Sequence, residues 1–175
     1  LNCSYAMAEN VFGVTQTPLG TKPVTDEIDR ESYINERIAN PPMDGKPTLK
    51  MMSSGRALPN TRLLILSEDG KSLPDKVIGE VALQSDCMLT GYYHRPDATE
   101  KALRDGWYLT GDYGYTLNSE VFVAGRKKDM IIVGGKNVYP QDLESLAYEV
   151  PGIHAGRAVA FGIEDTKAGT EEVVI

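Results

Sequence analysis

Short apolar stretches recur at intervals of about ten residues between positions 53 and 126 of the chain. Turn residues such as Asp-Gly and Asn-Ser separate them. The stretches that predict strands are Arg62–Leu66, Val77–Leu83, Met88–Tyr93, Trp107–Leu109, Tyr113–Leu117 and Glu120–Ala124. The last two flank Asn118-Ser119 as the arms of a hairpin would. Short strands at this spacing predict a small distorted β-barrel over residues 53–126.

After Gly135 the apolar pattern becomes helical. Pro140 suits a first helical position, and apolar residues then follow at the i, i+3, i+4, i+7 spacing of a packed helix. These apolar residues are Leu143, Leu146, Ala147 and Val150. Pro151-Gly152 would end the helix, and strands are predicted over Ala158–Ile163 and Glu172–Ile175. A strand–helix–strand–strand unit therefore begins near Asp129, and we expect a domain boundary at Arg126–Lys128.

The first 52 residues are more polar, and we predict a helix over Asp26–Ala39 within them. The fold class is therefore α+β: a small distorted β-barrel subdomain, followed by the truncated start of a small α+β domain. The chain begins with Leu1, and its last five residues, Glu-Glu-Val-Val-Ile, resemble an unfinished strand. An apolar strand that stops in its middle exposes unpaired backbone, so we expect this chain to be a piece of a longer protein.

Charge and cysteine content exclude several functional classes. The net charge is −7, and there is no long basic block, which disfavours binding to nucleic acid. No apolar run approaches the roughly 20 residues of a transmembrane helix. Cys3 and Cys87 lack metal-ligand spacing and do not indicate a disulfide framework. Two free thiols predict a reducing, cytoplasmic location.

Asp112 lies between a glycine and an aromatic residue in TGDYGY, Thr110–Tyr115. A carboxylate at a strand end can accept hydrogen bonds from two vicinal hydroxyl groups. It could equally be an aspartate that caps a turn. Arg126 would return close to Asp112 if the two arms of the hairpin pair. The two side chains could then form a surface salt bridge, or they could hold a sugar or phosphate between them.

The basic cluster at Arg126, Lys127 and Lys128 stands out in this acidic chain. A nucleic-acid patch, a solvated hairpin end and a hinge beside a nucleotide would all show such a cluster. Lys127 by itself could be only a solvated charge.

Four ordered motif regions carry a resemblance that covers nearly the whole chain. They are SYAMAE (4–9), GEVAL with GYY (79–83 and 91–93), GWYLTGD (106–112) and GRKKDMIIVGGKNVYPQDLE (125–144). Together they resemble the adenylate-forming superfamily of acyl-CoA synthetases, peptide-synthetase adenylation domains and luciferases. The resemblance implies that residues 1–52 are the tail of a large N-terminal adenylation domain, with a polar insertion-like segment. Residues 53–126 would be its β-barrel subdomain, and residues 127–175 the truncated start of a C-terminal lid domain.

The resemblance also implies roles for individual residues. Tyr5 would stack on the adenine of ATP, and Glu9 would be a catalytic residue that reaches the accompanying Mg²⁺. Asp112 would accept the ribose hydroxyls, and Arg126 would help to hold ribose and phosphate. Lys128 falls at the hinge about which the lid rotates between an adenylating and a thioester-forming arrangement.

Three further positions complete the implied site. Gly134 and Gly135 would form the loop that faces the pantetheine tunnel. Ala8 occupies the place of a phosphate-binding threonine, so one hydrogen bond worth roughly 0.5–1.5 kcal/mol is absent unless another group replaces it. Ala6 stands where a glycine is common, which affects the local turn.

The implied reaction joins a carboxylic acid to AMP and then to a thiol. YPQDLE, SSGRALPN and the alanine at position 8 resemble fatty-acyl-AMP ligases, whereas VGGKN resembles acyl-CoA synthetases more. We favour a fatty acid as substrate and a carrier-protein phosphopantetheine as acceptor, with an acyl carrier protein or polyketide synthase as partner. The alternatives are an acyl-CoA synthetase that uses free CoA, and a non-catalytic homologue that binds nucleotide or a carrier. The family's phosphate loop and C-terminal catalytic lysine do not occur in residues 1–175, so we expect the isolated chain to be inactive.

Overall fold

The computed structural model describes residues 2–165 and 169–175, which form fourteen β-strands and three α-helices. The first strands are β1 (Ser4–Met7), β2 (Phe12–Gln16), β3 (Thr25–Asp29), β4 (Thr48–Met52), β5 (Arg56–Ala57), β6 (Thr61–Leu66) and β7 (Gly79–Ser85). The others are β8 (Leu103–Arg104), β9 (Trp107–Leu117), β10 (Glu120–Arg126), β11 (Ile131–Val133), β12 (Lys136–Val138), β13 (Phe161–Asp165) and β14 (Thr170–Val174). The helices are α1 (Arg30–Glu36), α2 (Pro96–Ala102) and α3 (Pro140–Ala147).

The largest sheet has the strand order β10-β9-β7-β6, with β8 paired to β9, and all its pairs are antiparallel. This sheet curls into half a barrel. The architecture is therefore mixed α/β with few helices, which agrees with the predicted class at that level. A second sheet, β1-β2-β5, carries the N-terminal motif.

The predicted hairpin around Asn118-Ser119 is confirmed by the pairing of β9 with β10. Asn118 and Ser119 have φ values of 52° and 67°, as both central residues of a two-residue type I′ turn require. Asp75 supports the turn, since it accepts hydrogen bonds from Thr116 Oγ1 at 2.6 Å and from the Asn118 backbone N–H at 3.0 Å. β9 runs without a break through Trp107–Leu117, where the sequence predicted two shorter strands.

Aromatic residues hold the N-terminal segment, the half-barrel sheet and the C-terminal segment in one core. Tyr115 and Phe122 stack with ring centroids 4.8 Å apart and are fully buried. Tyr33 of α1 lies 5.7 Å from the ring of Tyr139, which immediately precedes α3. Ile28 of β3 completes this cluster. Helix α1 and the half-barrel sheet therefore contribute side chains to the same buried cluster.

The helix predicted over Asp26–Ala39 is wrong in its first part. Residues Thr25–Asp29 form β3, which pairs with β4, and only Arg30–Glu36 are helical. Asp29 caps the helix, because its Oδ1 accepts a hydrogen bond of 2.8 Å from the Ser32 backbone N–H. The pairing partner β4 lies about twenty residues away in sequence, so local periodicity does not reveal it.

The strand predicted over Met88–Tyr93 is also wrong, because this segment forms a loop. The preceding strand, β7, already pairs with β6 on one side and with β9 on the other. The loop backbone bonds elsewhere: Leu89 N–H donates to the Glu9 carbonyl at 2.8 Å, and Tyr92 N–H donates to Thr99 Oγ1 at 2.9 Å. The helix α2 follows this loop and supplies Thr99.

The C-terminal segment contains the predicted elements with shifted bounds and one strand more, β12, before the helix. β11 and β12 form a short hairpin, α3 follows, and β13 pairs with β14. α3 ends at Ala147 rather than at Val150, and β13 begins at Phe161 rather than at Ala158. Thr170 joins the two hairpins, since its hydroxyl donates to the Ile132 carbonyl at 3.0 Å.

Within the part of the chain that the structure describes, no helix is both long enough and apolar enough to span a membrane.

Glu120 of the edge strand β10 bonds to two residues at the start of β5 and just before it. Its carboxylate is buried and accepts hydrogen bonds from Ser53 Oγ and from Arg56 Nε, each at 2.7 Å. The Ser53 hydroxyl in turn accepts a bond from the Gly55 backbone N–H at 2.8 Å. One buried carboxylate thus organises the chain where the half-barrel sheet begins.

We predict that Glu120→Ala lowers the free energy of unfolding by about 1–3 kcal/mol, because Arg56 loses its partner and the buried Ser53 hydroxyl keeps only its longer bond of 3.3 Å to the Val121 carbonyl. Urea denaturation followed by circular dichroism measures this change. Glu172→Ala, at an exposed position of β14, is the matched control and should change stability by less than about 0.5 kcal/mol. Equal effects of the two substitutions would contradict the assigned role of Glu120.

Asp142 lies in α3, and burial raises its pKa to about 6 although the nearby positive charge of Arg30 opposes the shift. The buried rings of Tyr33 and Tyr139 also lie beside it. Because the folded-state pKa exceeds the unfolded value near 3.8, the stability contributed by protonated Asp142 is present below about pH 4. That contribution is lost as the pH rises through 6.

We therefore predict that Asp142→Asn, which is neutral at every pH, raises the free energy of unfolding by about 1–2 kcal/mol at pH 7.5. At pH 4 the substitution should have little effect. Thermal unfolding over this pH range measures the difference, with the exposed Asp86→Asn as control. A stabilisation that does not depend on pH would contradict the burial of the charged form as its cause.

Candidate functional site

Asp112 and Arg126 lie directly opposite each other in the register of β9 and β10. The register shifts between Val123 and Gly125, and the shift brings Arg126 into line with Asp112. Arg126 Nε lies 3.5 Å from Asp112 Oδ1, and the Asp112 side chain is 11% exposed while that of Arg126 is 61% exposed. The predicted proximity of the two residues is therefore observed.

Tyr5 of β1 joins this pair from the second sheet. Its hydroxyl donates a hydrogen bond of 2.5 Å to Asp112 Oδ2. Burial, and then the bond to Asp112, raise the pKa of Tyr5 above its ordinary value, so the phenol stays protonated and remains a donor. Both oxygens of Asp112 thus have an intramolecular partner. Each oxygen still has lone-pair capacity for a further donor.

Thr110 and Gly111 fix the backbone beneath Asp112. Thr110 Oγ1 donates to the Val81 carbonyl at 2.8 Å and accepts from the Asp112 backbone N–H at 3.0 Å. Gly111 has φ of 73°, a conformation that favours glycine, and its N–H donates to Glu80 Oε1 at 3.1 Å. Strand β7 therefore holds the two residues that precede Asp112.

The neighbouring basic residues differ from each other in their contacts. Lys127 Nζ lies 3.1 Å from Glu80 Oε2 and also lies over the ring of Tyr113. The hydrogen bond with Glu80 raises the pKa of Lys127. Lys127 is thus part of an ion pair rather than only a solvated charge. Lys128 is exposed and borders a cavity of about 410 Å³ between α3 and β13.

Glu9 lies in a 3₁₀ turn, Ala8–Asn10, between β1 and β2. Its Oε1 accepts a hydrogen bond of 3.0 Å from Tyr92 Oη, and the hydroxyls of Tyr92 and Tyr108 are 2.9 Å apart. Burial raises the pKa of both tyrosines, so both hydroxyls are available as donors. Glu9 is therefore held from the loop between β7 and α2.

One cleft of about 650 Å³ brings most of the predicted site residues together. The predicted residues that line it are Tyr5, Ala8, Glu9, Asp112, Arg126 and Lys128. Tyr92, Tyr108 and Lys127 also line it, and they were not assigned a role from the sequence. A larger groove of about 1010 Å³ lies beside the cleft, around Trp107, and none of the predicted residues lines it.

Gly134 and Gly135 lie apart from the residues that line this cleft. They form the turn between β11 and β12, with φ values of 56° and 78°, and Gly134 N–H donates to Thr170 Oγ1 at 2.7 Å. Both glycines are exposed. Positive φ at both turn positions gives a structural reason for the glycine pair.

Glu9 suits magnesium only as a single ligand. Among residues 2–165 and 169–175, no group of three or more His, Cys, Asp or Glu side chains could hold a metal ion. Mg²⁺ in nucleotide sites commonly takes one or two carboxylates and completes its octahedron with phosphate oxygens and water. Tyr92 occupies one oxygen of Glu9, which leaves the other for such a ligand. The residues present therefore fit magnesium that arrives with a nucleotide.

Tyr92 and Tyr108 line the cleft, although the sequence assigned no site role to either residue. Tyr92 belongs to the GYY motif, but the segment around it was predicted as a strand. Tyr108 is buried, and its hydroxyl lies 2.9 Å from that of Tyr92. The contact between Glu9 and Tyr92 spans 83 residues, so no local pattern could indicate it.

Known proteins resemble this chain over 65% to 97% of its length. A fatty acid–[acyl-carrier-protein] ligase of Streptomyces coeruleorubidus is 32% identical over 171 residues, which cover 97% of this chain and 29% of that protein. A sulfoacetate–CoA ligase of Cupriavidus necator is 39% identical over 115 residues, covering 65% of this chain and 22% of that protein. No protein-family model matches the chain.

Solved structures of related ligases also superpose on this chain. A structure from a study of fatty acyl-adenylate ligases of E. coli and L. pneumophila superposes with a TM-score of 0.86 at 30% identity, over 98% of this chain. The chain spans 30% of that structure and less than a third of either relative described above. From the identity and coverage of these relatives and from the superposition, we conclude that this chain belongs to the adenylate-forming superfamily of acyl-CoA synthetases, acyl-AMP ligases and adenylation domains.

Proposed function

We propose that this chain forms one wall of the nucleotide site in an ATP-dependent acyl-activating ligase. The observation that carries the proposal is the convergence of Tyr5, Arg126 and the buried carboxylate of Asp112 on one cleft. An aromatic ring, a fork of carboxylate oxygens and a guanidinium match the adenine, the ribose diol and the phosphate of a nucleotide.

In the proposed reaction the substrate carboxylate attacks the α-phosphate of ATP. This step forms acyl-AMP and releases pyrophosphate, after which a thiol attacks the acyl carbon and AMP leaves. Asp112 accepts the ribose hydroxyls, Tyr5 stacks on adenine and Arg126 binds ribose and phosphate, so these residues act by positioning. Magnesium, when bound with the nucleotide at Glu9, neutralises charge on the phosphate oxygens.

The proposal assigns the remaining predicted residues to the lid. Lys128 is the hinge, and its exposure beside a cavity next to α3 is compatible with a change in the local backbone. Gly134 and Gly135 face the pantetheine arm in the thioester-forming arrangement, where exposed glycines allow close approach. Ala8 leaves one phosphate contact to other residues. We further propose that residues 1–52 and 53–126 belong to the large adenylation domain and residues 127–175 to the lid.

We propose a fatty acid as substrate and a phosphopantetheine thiol as acceptor, on an acyl carrier protein or polyketide synthase. The fatty acid–[acyl-carrier-protein] ligase and the fatty acyl-adenylate ligases among the similar proteins support this choice. The sulfoacetate–CoA ligase supports free CoA as the alternative acceptor. The unpaired thiols of Cys3 and Cys87 fit a cytoplasmic enzyme. Because the phosphate loop and catalytic lysine of the family do not occur in residues 1–175, we propose that activity requires a longer protein.

We predict that Asp112→Asn in the full-length enzyme raises the KM for ATP by about 10- to 100-fold in ATP–pyrophosphate exchange, because charge-assisted hydrogen bonds to ribose are lost. Asp105→Asn, an equally conservative change at an exposed turn, is the control and should leave KM unchanged. Replacing ATP by 3′-deoxy-ATP should raise the KM for the nucleotide more in the unaltered enzyme than in the Asp112→Asn variant. Equal losses in both proteins would contradict a ribose contact.

Product analysis tests the choice of acceptor. The full-length enzyme is incubated with ATP, Mg²⁺ and a panel of fatty and aromatic acids, with CoA or with a phosphopantetheinylated carrier protein. Mass spectrometry should detect fatty acyl-adenylate that persists beside CoA and acyl groups that transfer to the carrier. Formation of acyl-CoA would favour the acyl-CoA synthetase alternative. If no acid gave either product, that result would overturn the enzymatic proposal in favour of a non-catalytic homologue.

A further inference from the structure

Two tyrosine hydroxyls and one carboxylate form a hydrogen-bond chain along one wall of the cleft. Tyr92 Oη lies 3.0 Å from Glu9 Oε1, and Tyr108 Oη lies 2.9 Å from Tyr92 Oη. A phenol has a single hydrogen. Because Tyr92 donates its hydrogen to the carboxylate, Tyr108 must donate to Tyr92. The chain therefore has one direction, from the buried Tyr108 to Glu9.

The loop that carries Tyr92 is fixed at several points. Thr99 Oγ1 of α2 accepts a hydrogen bond from the Tyr92 backbone N–H at 2.9 Å and donates to the Arg95 carbonyl at 3.0 Å. A Cβ atom at Gly91 would lie 3.2 Å from Thr99 Cγ2, which is tighter than ordinary van der Waals contact. Glycine at position 91 thus permits the close approach of the loop to the helix.

The same loop also contacts the backbone of residue 9. Leu89 N–H donates to the Glu9 carbonyl at 2.8 Å. Glu9 is therefore held twice, once through its backbone and once through its carboxylate. Tyr92 Oη donates to the carboxylate of Glu9, and the Tyr108 hydroxyl beside it also interacts with that carboxylate. The orientation of the Glu9 carboxylate therefore depends on this pair of hydroxyls, of which Tyr92 makes the contact of 3.0 Å.

Packing alone does not account for the hydroxyl of Tyr92. Tyr108 belongs to a buried apolar cluster with Val14 and Leu83, whereas Tyr92 lies at the boundary between that cluster and the cleft. A phenylalanine at position 92 would fill the same space and remove the hydrogen bond of 3.0 Å to Glu9 Oε1. The contribution of the Tyr92 hydroxyl is therefore its hydrogen bond to the Glu9 carboxylate.

We infer that Tyr92 is a positioning residue that fixes the carboxylate of Glu9 for the metal of a metal–nucleotide complex, and that Tyr108 orients Tyr92. This inference rests on the proposed function, in which Glu9 binds that metal. A donor on one carboxylate oxygen fixes the direction of the other, and such supporting contacts commonly change metal affinity by about 10- to 100-fold.

The test measures metal binding directly. The full-length enzyme is saturated with α,β-methylene-ATP and titrated with Mn²⁺, whose free concentration is followed by electron paramagnetic resonance. Tyr92→Phe should weaken Mn²⁺ binding by about tenfold. The affinity for the nucleotide in EDTA should stay the same, because the proposed nucleotide contacts are made by Tyr5, Asp112 and Arg126. Tyr93→Phe, whose ring is 87% exposed, is the matched control and should change neither value.

Glu9→Gln separates failure of the inference from failure of the proposed function. If Glu9→Gln leaves Mn²⁺ affinity unchanged, the metal role of Glu9 is wrong and the inference falls with it. If Glu9→Gln weakens Mn²⁺ binding but Tyr92→Phe does not, only the positioning role is wrong. Equal weakening of metal and nucleotide binding by Tyr92→Phe would indicate general disruption and also overturn the inference.

The double variant gives the sharpest result. In the Glu9→Gln background, Tyr92→Phe should cause no further loss of Mn²⁺ affinity, because the two residues act through one contact. Independent, additive losses would contradict the positioning role.

Discussion

The antiparallel pairing of β9 with β10 determines where Asp112 and Arg126 meet. Asn118 and Ser119 reverse the chain, Asp75 supports the turn, and the register shift near Val123 aligns the two charged residues at the far end. A shift of one residue in this register would turn the carboxylate to the other face of the sheet. The candidate site therefore depends on a turn that lies a whole strand away.

The other parts of the site are attached to that hairpin by hydrogen bonds from different elements. β7 contributes Glu80, which bonds both the Gly111 backbone and Lys127, and the second sheet contributes Tyr5, which bonds Asp112. Glu80 thus links the backbone beside Asp112 to the basic segment after β10. In the proposed enzyme, the backbone would rotate at Lys128 while Lys127, the residue before it, stays paired with Glu80.

The sequence alone could predict contacts that lie within one hairpin, but not those between distant segments. Alternating residues around Asn118-Ser119 indicate the hairpin, and the hairpin by itself implies that Arg126 approaches Asp112. Strand β3 was missed because its partner β4 is formed by a separate segment. Tyr92 was missed because its loop is fixed by Thr99 and Glu9, which a strand-like pattern does not reveal. The motif resemblance supplied the residue roles, which neither spacing nor charge could supply.

The central claim is that a nucleotide binds in the cleft with its ribose on Asp112. The most direct measurement is a crystal structure of the full-length enzyme with a non-hydrolysable acyl-adenylate analogue. The account predicts ribose hydroxyls within hydrogen-bond distance of the Asp112 carboxylate, adenine against the Tyr5 ring and the phosphate near Arg126. An adenylate bound elsewhere, with Asp112 still paired only to Tyr5 and Arg126, would contradict it.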